Sequence, residues 1–113
     1  MHRLVLKFAA LFAIYAIVCI PAANAQSSPS APAVLELYTS QGCSSCPSAD
    51  KLLKSYAKRD DIVALSFNVD YWDYLGWKDT LANPAYSKRQ RLYARTRGDG
   101  AVYTPQILSL IHI

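Results

Sequence analysis

Two cysteines three positions apart, Cys43 and Cys46, stand where an apolar segment gives way to a helical pattern. Ala33-Val34-Leu35-Glu36-Leu37-Tyr38 has the character of a short buried strand. Thr39 to Gly42 form a loop. Beyond Cys43-Ser44-Ser45-Cys46-Pro47, the residues Ala49, Leu52, Leu53, Tyr56 and Ala57 share one face of a helix predicted from about Ser45 to Lys58. Ile62 to Val69 is a second, nearly continuous apolar strand, as expected in a parallel sheet covered on both faces. Asp70 to Asp79 reads as an aromatic-rich loop. Asn83 as N-cap and Pro84 as first helical residue open a basic helix that Gly98 ends, and Val102 to Ile107 lead into a third strand. Strands alternating with helices predict an α/β unit with right-handed crossovers.

The chain ahead of this unit reads as an address. Of 113 residues 52% are hydrophobic, and they crowd toward the N-terminus. Arg3 and Lys7 precede an unbroken apolar run from Phe8 to Ile20, Pro21 breaks it, and Ala23-Asn24-Ala25 supplies a signal-peptidase site. Residues 1–25 are therefore expected to be a signal peptide cleaved before Gln26. The run falls short of the roughly 20 residues that span a bilayer, so no stable membrane anchor is expected after cleavage. Val18 before Cys19, where a small residue is needed, argues against a lipid anchor there. The predicted localisation is periplasmic or extracellular, where a disulfide between Cys43 and Cys46 can persist. Gln26 to Pro32 is a Ser/Pro linker. Without Arg3 and Lys7, ten basic residues face eight acidic ones, and no nucleic-acid partner is expected.

The tail Leu108-Ser109-Leu110-Ile111-His112-Ile113 has no turn, cap or charge. It resembles the conceptual translation of a transposon-end sequencing adapter. Natural sequence is expected to stop near Ile107 or Leu108, leaving 108–113 as a non-native tail and 33–107 as an incomplete domain. Such a fragment leaves one sheet edge and much of one face uncovered, and loss of activity through incompleteness is one expectation.

The strand-to-helix junction is where a cysteine pair is chemically useful. Unpaired N–H groups and the positive end of the helix dipole favour a thiolate at Cys43, making that sulfur a nucleophile and a good leaving group. Cys46, read as one turn into the helix and more buried, can resolve a mixed disulfide formed at Cys43. Three other readings compete. Zinc needs about four ligands, and the mature chain offers two thiols plus His112 in the doubtful tail. A purely structural disulfide over four residues removes only about 2 kcal/mol of chain entropy. A Cu(I) site on Cys43 and Cys46 suits two soft thiolates.

The strand, CxxC, helix, strand order with a later Thr-Pro resembles the thioredoxin superfamily. More closely, ELYTSQGCSSCPSAD, VDYWDYLGWKD and VYTPQ resemble an exported bacterial family of thioredoxin-like proteins of largely uncharacterised function. The similarity covers about residues 33–107. It implies a thioredoxin-like three-layer fold with crossover helices, C-terminally truncated here, and thiol–disulfide oxidoreductase activity with no tightly bound cofactor. The implied partner is a protein or small thiol. It further implies that Thr104-Pro105 is a cis-proline dipeptide beside Cys43 and Cys46, with the Thr104 backbone open to an extended substrate. Gly42 stands where the superfamily carries an aromatic residue. Ser44-Ser45 has no charge, ring or proline, so the direction of electron flow stays open. Nothing in the sequence sets the oligomeric state.

Glu36 interrupts the first strand seven positions before Cys43. Buried, it would be a neutral-leaning acid able to pass a proton to or from Cys46. At a partly open edge, or paired with a nearby Lys or Arg, it would be structural. Asp70, Tyr71, Trp72, Asp73 and Trp77 either grip a partner or, as the simpler expectation, cap the core and local turns. Lys88, Arg91 and Arg95, with Arg89 and Arg97 nearby, form a face expected to be solvated.

Overall fold

The computed structural model describes residues 31–110. The predicted signal peptide, linker residues 26–30 and tail residues 111–113 lie outside the described residues. The elements in chain order are β1 (Ala33–Thr39), α1 (Cys46–Tyr56), β2 (Ile62–Asn68), a 3-10 turn (Asp73–Leu75), α2 (Pro84–Arg97) and β3 (Gln106–Ser109). They make a small α/β protein with a three-stranded mixed sheet and two α-helices, in strand order β2-β1-β3. β1 and β2 are parallel, from Ala33 opposite Ile62 to Thr39 opposite Asn68.

The third strand departs from expectation in start and direction. It begins at Gln106, because Pro105 has no N–H to give a ladder, and it continues through Leu108 and Ser109, which lie opposite Glu36 and Leu35. It is antiparallel to β1, not the parallel partner that a second crossover would supply. The connection explains this. α2 starts near the end of β2, where the Asn83 N–H donates to the Asn68 carbonyl (3.1 Å), and its 14 residues run about 21 Å. Residues 98–105 then return along it, held where Gln90 Nε2 donates to the Tyr103 carbonyl (2.8 Å). β3 therefore starts at the end of the sheet where β1 finishes.

The helices cover opposite faces. Side chains alternate along β1, and Thr39 Oγ1 donates to Asp50 of α1 (2.7 Å), whereas Glu36 meets Arg89 of α2. On the α2 face Tyr38 stacks on Phe67 of β2 (centroids 5.5 Å apart), and Phe67 meets Tyr86 of α2 edge-on. Leu37, Tyr38 and Val69 are fully buried, so the core sits around the second half of β1. β2 is not covered on both faces as expected. Among the described residues it is an edge strand, and Val63 and Leu65, lying before Phe67 on the α2 face, are 41% and 38% exposed. Likewise Leu53 of α1 is buried but Leu52 is exposed, because the helix covers only a strip of sheet.

Local capping chemistry fixes α2. Asn83 Oδ1 accepts the Ala85 N–H (2.9 Å), and Gly98, at φ +79°, returns its N–H to the Ala94 and Arg95 carbonyls.

Candidate functional site

The chain leaves β1 at Thr39 and turns tightly before α1. The Cys43 N–H donates to the Ser40 carbonyl (3.2 Å), the Gly42 N–H to Ser40 Oγ (3.1 Å), and the Cys46 N–H to the Cys43 carbonyl (3.2 Å). Cys43 and Cys46 form a disulfide, with Cα atoms 5.4 Å apart. Cys46 is wholly buried, and Cys43 keeps 5% of its surface. Cys46 is the first helical residue rather than one turn in, because the turn at residues 40–43 delays the helix. Ser45 is the N-cap, yet its hydroxyl caps nothing and lies 3.6 Å from Cys43 Sγ. The opening N–H groups of α1 therefore lack a side-chain acceptor at the end where Cys43 stands.

Thr104 and Pro105 are joined by a cis peptide bond just ahead of β3, at the sheet end that carries the cysteines. Two elements hold this segment. Trp72 Nε1 donates to Thr104 Oγ1 (2.7 Å). Gln90, fully buried on α2, also donates to Gln106 Oε1 (2.8 Å) and accepts from the Tyr71 hydroxyl (3.0 Å).

Of the acids in the aromatic loop, Asp73 holds the loop's own backbone, whereas Asp70 ties the loop to α2. Ser87 Oγ donates to Asp70 Oδ1, and Asp73 Oδ1 accepts the Asp79 N–H (3.1 Å). Asp79 reaches further. Its Oδ2 accepts the Gln41 N–H (2.9 Å) and Asn68 Nδ2 (2.7 Å), and its Oδ1 accepts the Leu81 N–H (2.8 Å). Burial acts to raise its pKa, but these hydrogen bonds outweigh burial and hold the carboxyl below the usual carboxylate range. Tyr74 and Trp77 remain exposed, although Trp77 Nε1 donates to Gln41 Oε1 (3.1 Å). A Cβ on Gly42 would lie 3.2 Å from Trp72 Cβ, which explains why no large residue precedes Cys43.

Glu36 belongs to a separate cluster. Its carboxylate is fully buried and accepts from Arg89 Nε (3.0 Å), Arg89 Nη2, the Tyr38 hydroxyl (2.7 Å) and the Tyr93 hydroxyl (3.4 Å). Of the two expectations for Glu36, the structure has the paired one, with the side chain on the face opposite α1. Burial, then the bond to Glu36, pushes the Tyr38 phenol well up, and the bonds to Glu36 raise Arg89 further. Arg89 also packs over the Phe67 and Tyr93 rings. It is thus paired and partly exposed rather than a free member of the basic face, and Arg97 is tied to Asp99 (2.9 Å); Lys88, Arg91 and Arg95 are exposed.

Sequence reasoning missed Arg89, Gln90, Trp72 and Asp79 as organisers. A buried Glu36 demands a cation, but nothing in the sequence singles out Arg89 among its basic neighbours. A hollow of about 370 Å³ on the α1 face borders Ser40 and Gln41 but is lined by neither cysteine nor Thr104 or Pro105. Among the described residues no three His, Cys, Asp or Glu side chains are grouped to hold a metal, and the two cysteines that would serve as soft ligands are joined in a disulfide.

Fold and site define a small α/β protein whose central strand delivers a CxxC disulfide to a helix N-terminus. The chain belongs to the family described as protein of unknown function (DUF1223), whose model matches residues 34–109. A crystal structure of an Agrobacterium tumefaciens protein from a structural-genomics consortium is similar, with 48% identity and a TM-score of 0.67. The match covers 73% of this chain and 37% of that one. No curated protein matches.

Proposed function

We propose that the protein is an exported, thioredoxin-like thiol–disulfide oxidoreductase. The observation that carries this is the Cys43–Cys46 disulfide at a helix N-terminus without a side-chain cap. The parallel β1–α1–β2 unit, the antiparallel β3 and the cis bond before Pro105 support the thioredoxin-like reading. Export rests on the predicted signal peptide; no described helix is long and apolar enough to cross a membrane.

In the oxidised form, a partner thiolate attacks Cys43 Sγ. A partner–Cys43 bond forms, the Cys43–Cys46 bond breaks, and Cys46 leaves as a thiolate that takes up a proton. A second partner thiolate then attacks the partner sulfur, so the partner is oxidised to a disulfide by two electrons and Cys43 is released as a thiolate. That thiolate is stabilised by the N–H groups of α1. Run backward, the same steps reduce a partner disulfide. Thr104, at the site's edge, offers its backbone to an extended partner segment.

Replacing Cys46 with Ser tests the scheme. The variant should trap a mixed disulfide with a small disulfide reagent, located at Cys43 by mass spectrometry, while wild type releases it. Stoichiometric Cu(I) binding by the two thiols without any exchange would replace this function with copper handling.

A further inference from the structure

The loop from Asp70 to Leu81 touches both halves of the cysteine site, and a directed hydrogen bond reaches each half. On one side the Asp79 carboxylate, 2% exposed, takes the backbone N–H of Gln41, two residues before Cys43. On the other, the Trp72 indole starts against Gly42 and ends on the Thr104 hydroxyl, spanning from one segment to the other. Trp77 adds a hold on the Gln41 side chain. The loop is itself anchored to α2 through Asp70 and Ser87.

We propose that Asp79 and Trp72 are positioning residues of the exchange site, Asp79 aligning the turn that carries Cys43 and Trp72 aligning Thr104 at the same sheet end. This rests on the exchange activity proposed above. The choice of residue type supports it. Every group reaching the Asp79 carboxylate is a donor: one backbone N–H of its own loop, one side-chain amide from the end of β2, and one N–H of the cysteine turn. Only a side chain with two acceptor oxygens satisfies all three. An Asn there would point its own N–H₂ at a donor and orphan either Gln41 or Leu81. A loop that merely covered the core would gain more from an apolar residue than from a buried charge. Trp72, unlike Asp79, is only partly buried, yet its single polar atom is aimed at Thr104.

The two residues act on different halves, so their variants should differ. The reduced full chain is compared as wild type, Trp72→Phe and Asp79→Asn, each checked for folding by circular dichroism. Asp79→Asn is expected to slow iodoacetamide alkylation of Cys43 about tenfold, the loss of one hydrogen bond to a charged group. Trp72→Phe should leave alkylation within about twofold of wild type, but raise KM for a peptide disulfide about fivefold at unchanged kcat. Either folded variant matching wild type in its own assay overturns the proposal. Hydrogen exchange at the Gln41 amide of wild type adds a test that needs no variant: strong protection is expected, and exchange at open-loop rates refutes the clasp even if Asp79→Asn fails to fold. A wild type that exchanges no disulfide, with Gln41 still protected, would count against the activity and not against the clasp.

Discussion

Removing the guanidinium from Arg89 should destabilise the protein more than a surface substitution has any right to. Glu36 has no exposed surface, and its oxygens are satisfied by Arg89 through Nε and Nη2 and by the hydroxyls of Tyr38 and Tyr93. Arg89→Met keeps the aliphatic stem over Phe67 but strips the carboxylate of its cation. Breaking a fully buried pair in this way costs about 3–5 kcal/mol. The Arg89 side chain is 45% exposed, so water reaches the vacated position, and about 2–3 kcal/mol is the better expectation. For a domain this small each kcal/mol moves Tm by about 4–8 °C, so a fall of roughly 8–24 °C should appear in thermal melts. Urea titration should show a lower midpoint at unchanged slope. Adding Glu36→Leu to Arg89→Met should recover part of the loss, since the orphaned charge is then gone. A single variant within about 0.5 kcal/mol of wild type would refute the reasoning. The same cluster bears on exchange: Glu36→Gln in a folded protein should leave the pH profile of Cys43 reactivity unchanged, because the carboxylate faces away from α1.

Three further outcomes follow from particular contacts. Reducing the Cys43–Cys46 bond should lower stability by only about 2 kcal/mol, measured by urea unfolding with and without dithiothreitol, because the loop it closes is four residues long. Asp79 has a carboxyl held below its unfolded value, so its stabilisation is full above about pH 4 and is lost as pH falls through the folded value. Wild-type stability should therefore drop below pH 4, and the Asp79→Asn stability curve should be flatter there. Asn83→Ala should cost about 1 kcal/mol through the lost cap on the Ala85 N–H, again by urea unfolding.

What the sequence disclosed was mostly local chemistry. Asn83, Pro84 and Gly98 bound α2 because capping involves neighbours within a few residues, and the same holds for the apolar spacing around Leu53. The cysteine pair was legible because its spacing and its place after an apolar strand are both sequential. The direction of β3 was not: four residues carry no polarity signal, and the outcome turned on residues 98–105 lying back along α2 under Gln90. Nor did any pattern link Glu36 to Arg89, 53 positions later, or Trp72 to Thr104, 32 positions later. Lys88, Arg91 and Arg95 are as basic as Arg89, and only packing against β1 singles it out. The burial of β2 was overstated because a continuous apolar run does not reveal which of its faces find a partner.

The most direct test of the central claim is the pH dependence of alkylation at each cysteine in the reduced full chain, resolved by mass spectrometry. Cys43 should react with a thiolate midpoint well below that of a free cysteine, near pH 8.5, while Cys46 stays protected. Two thiols with ordinary midpoints and similar rates would contradict the assignment of disulfide exchange to this site.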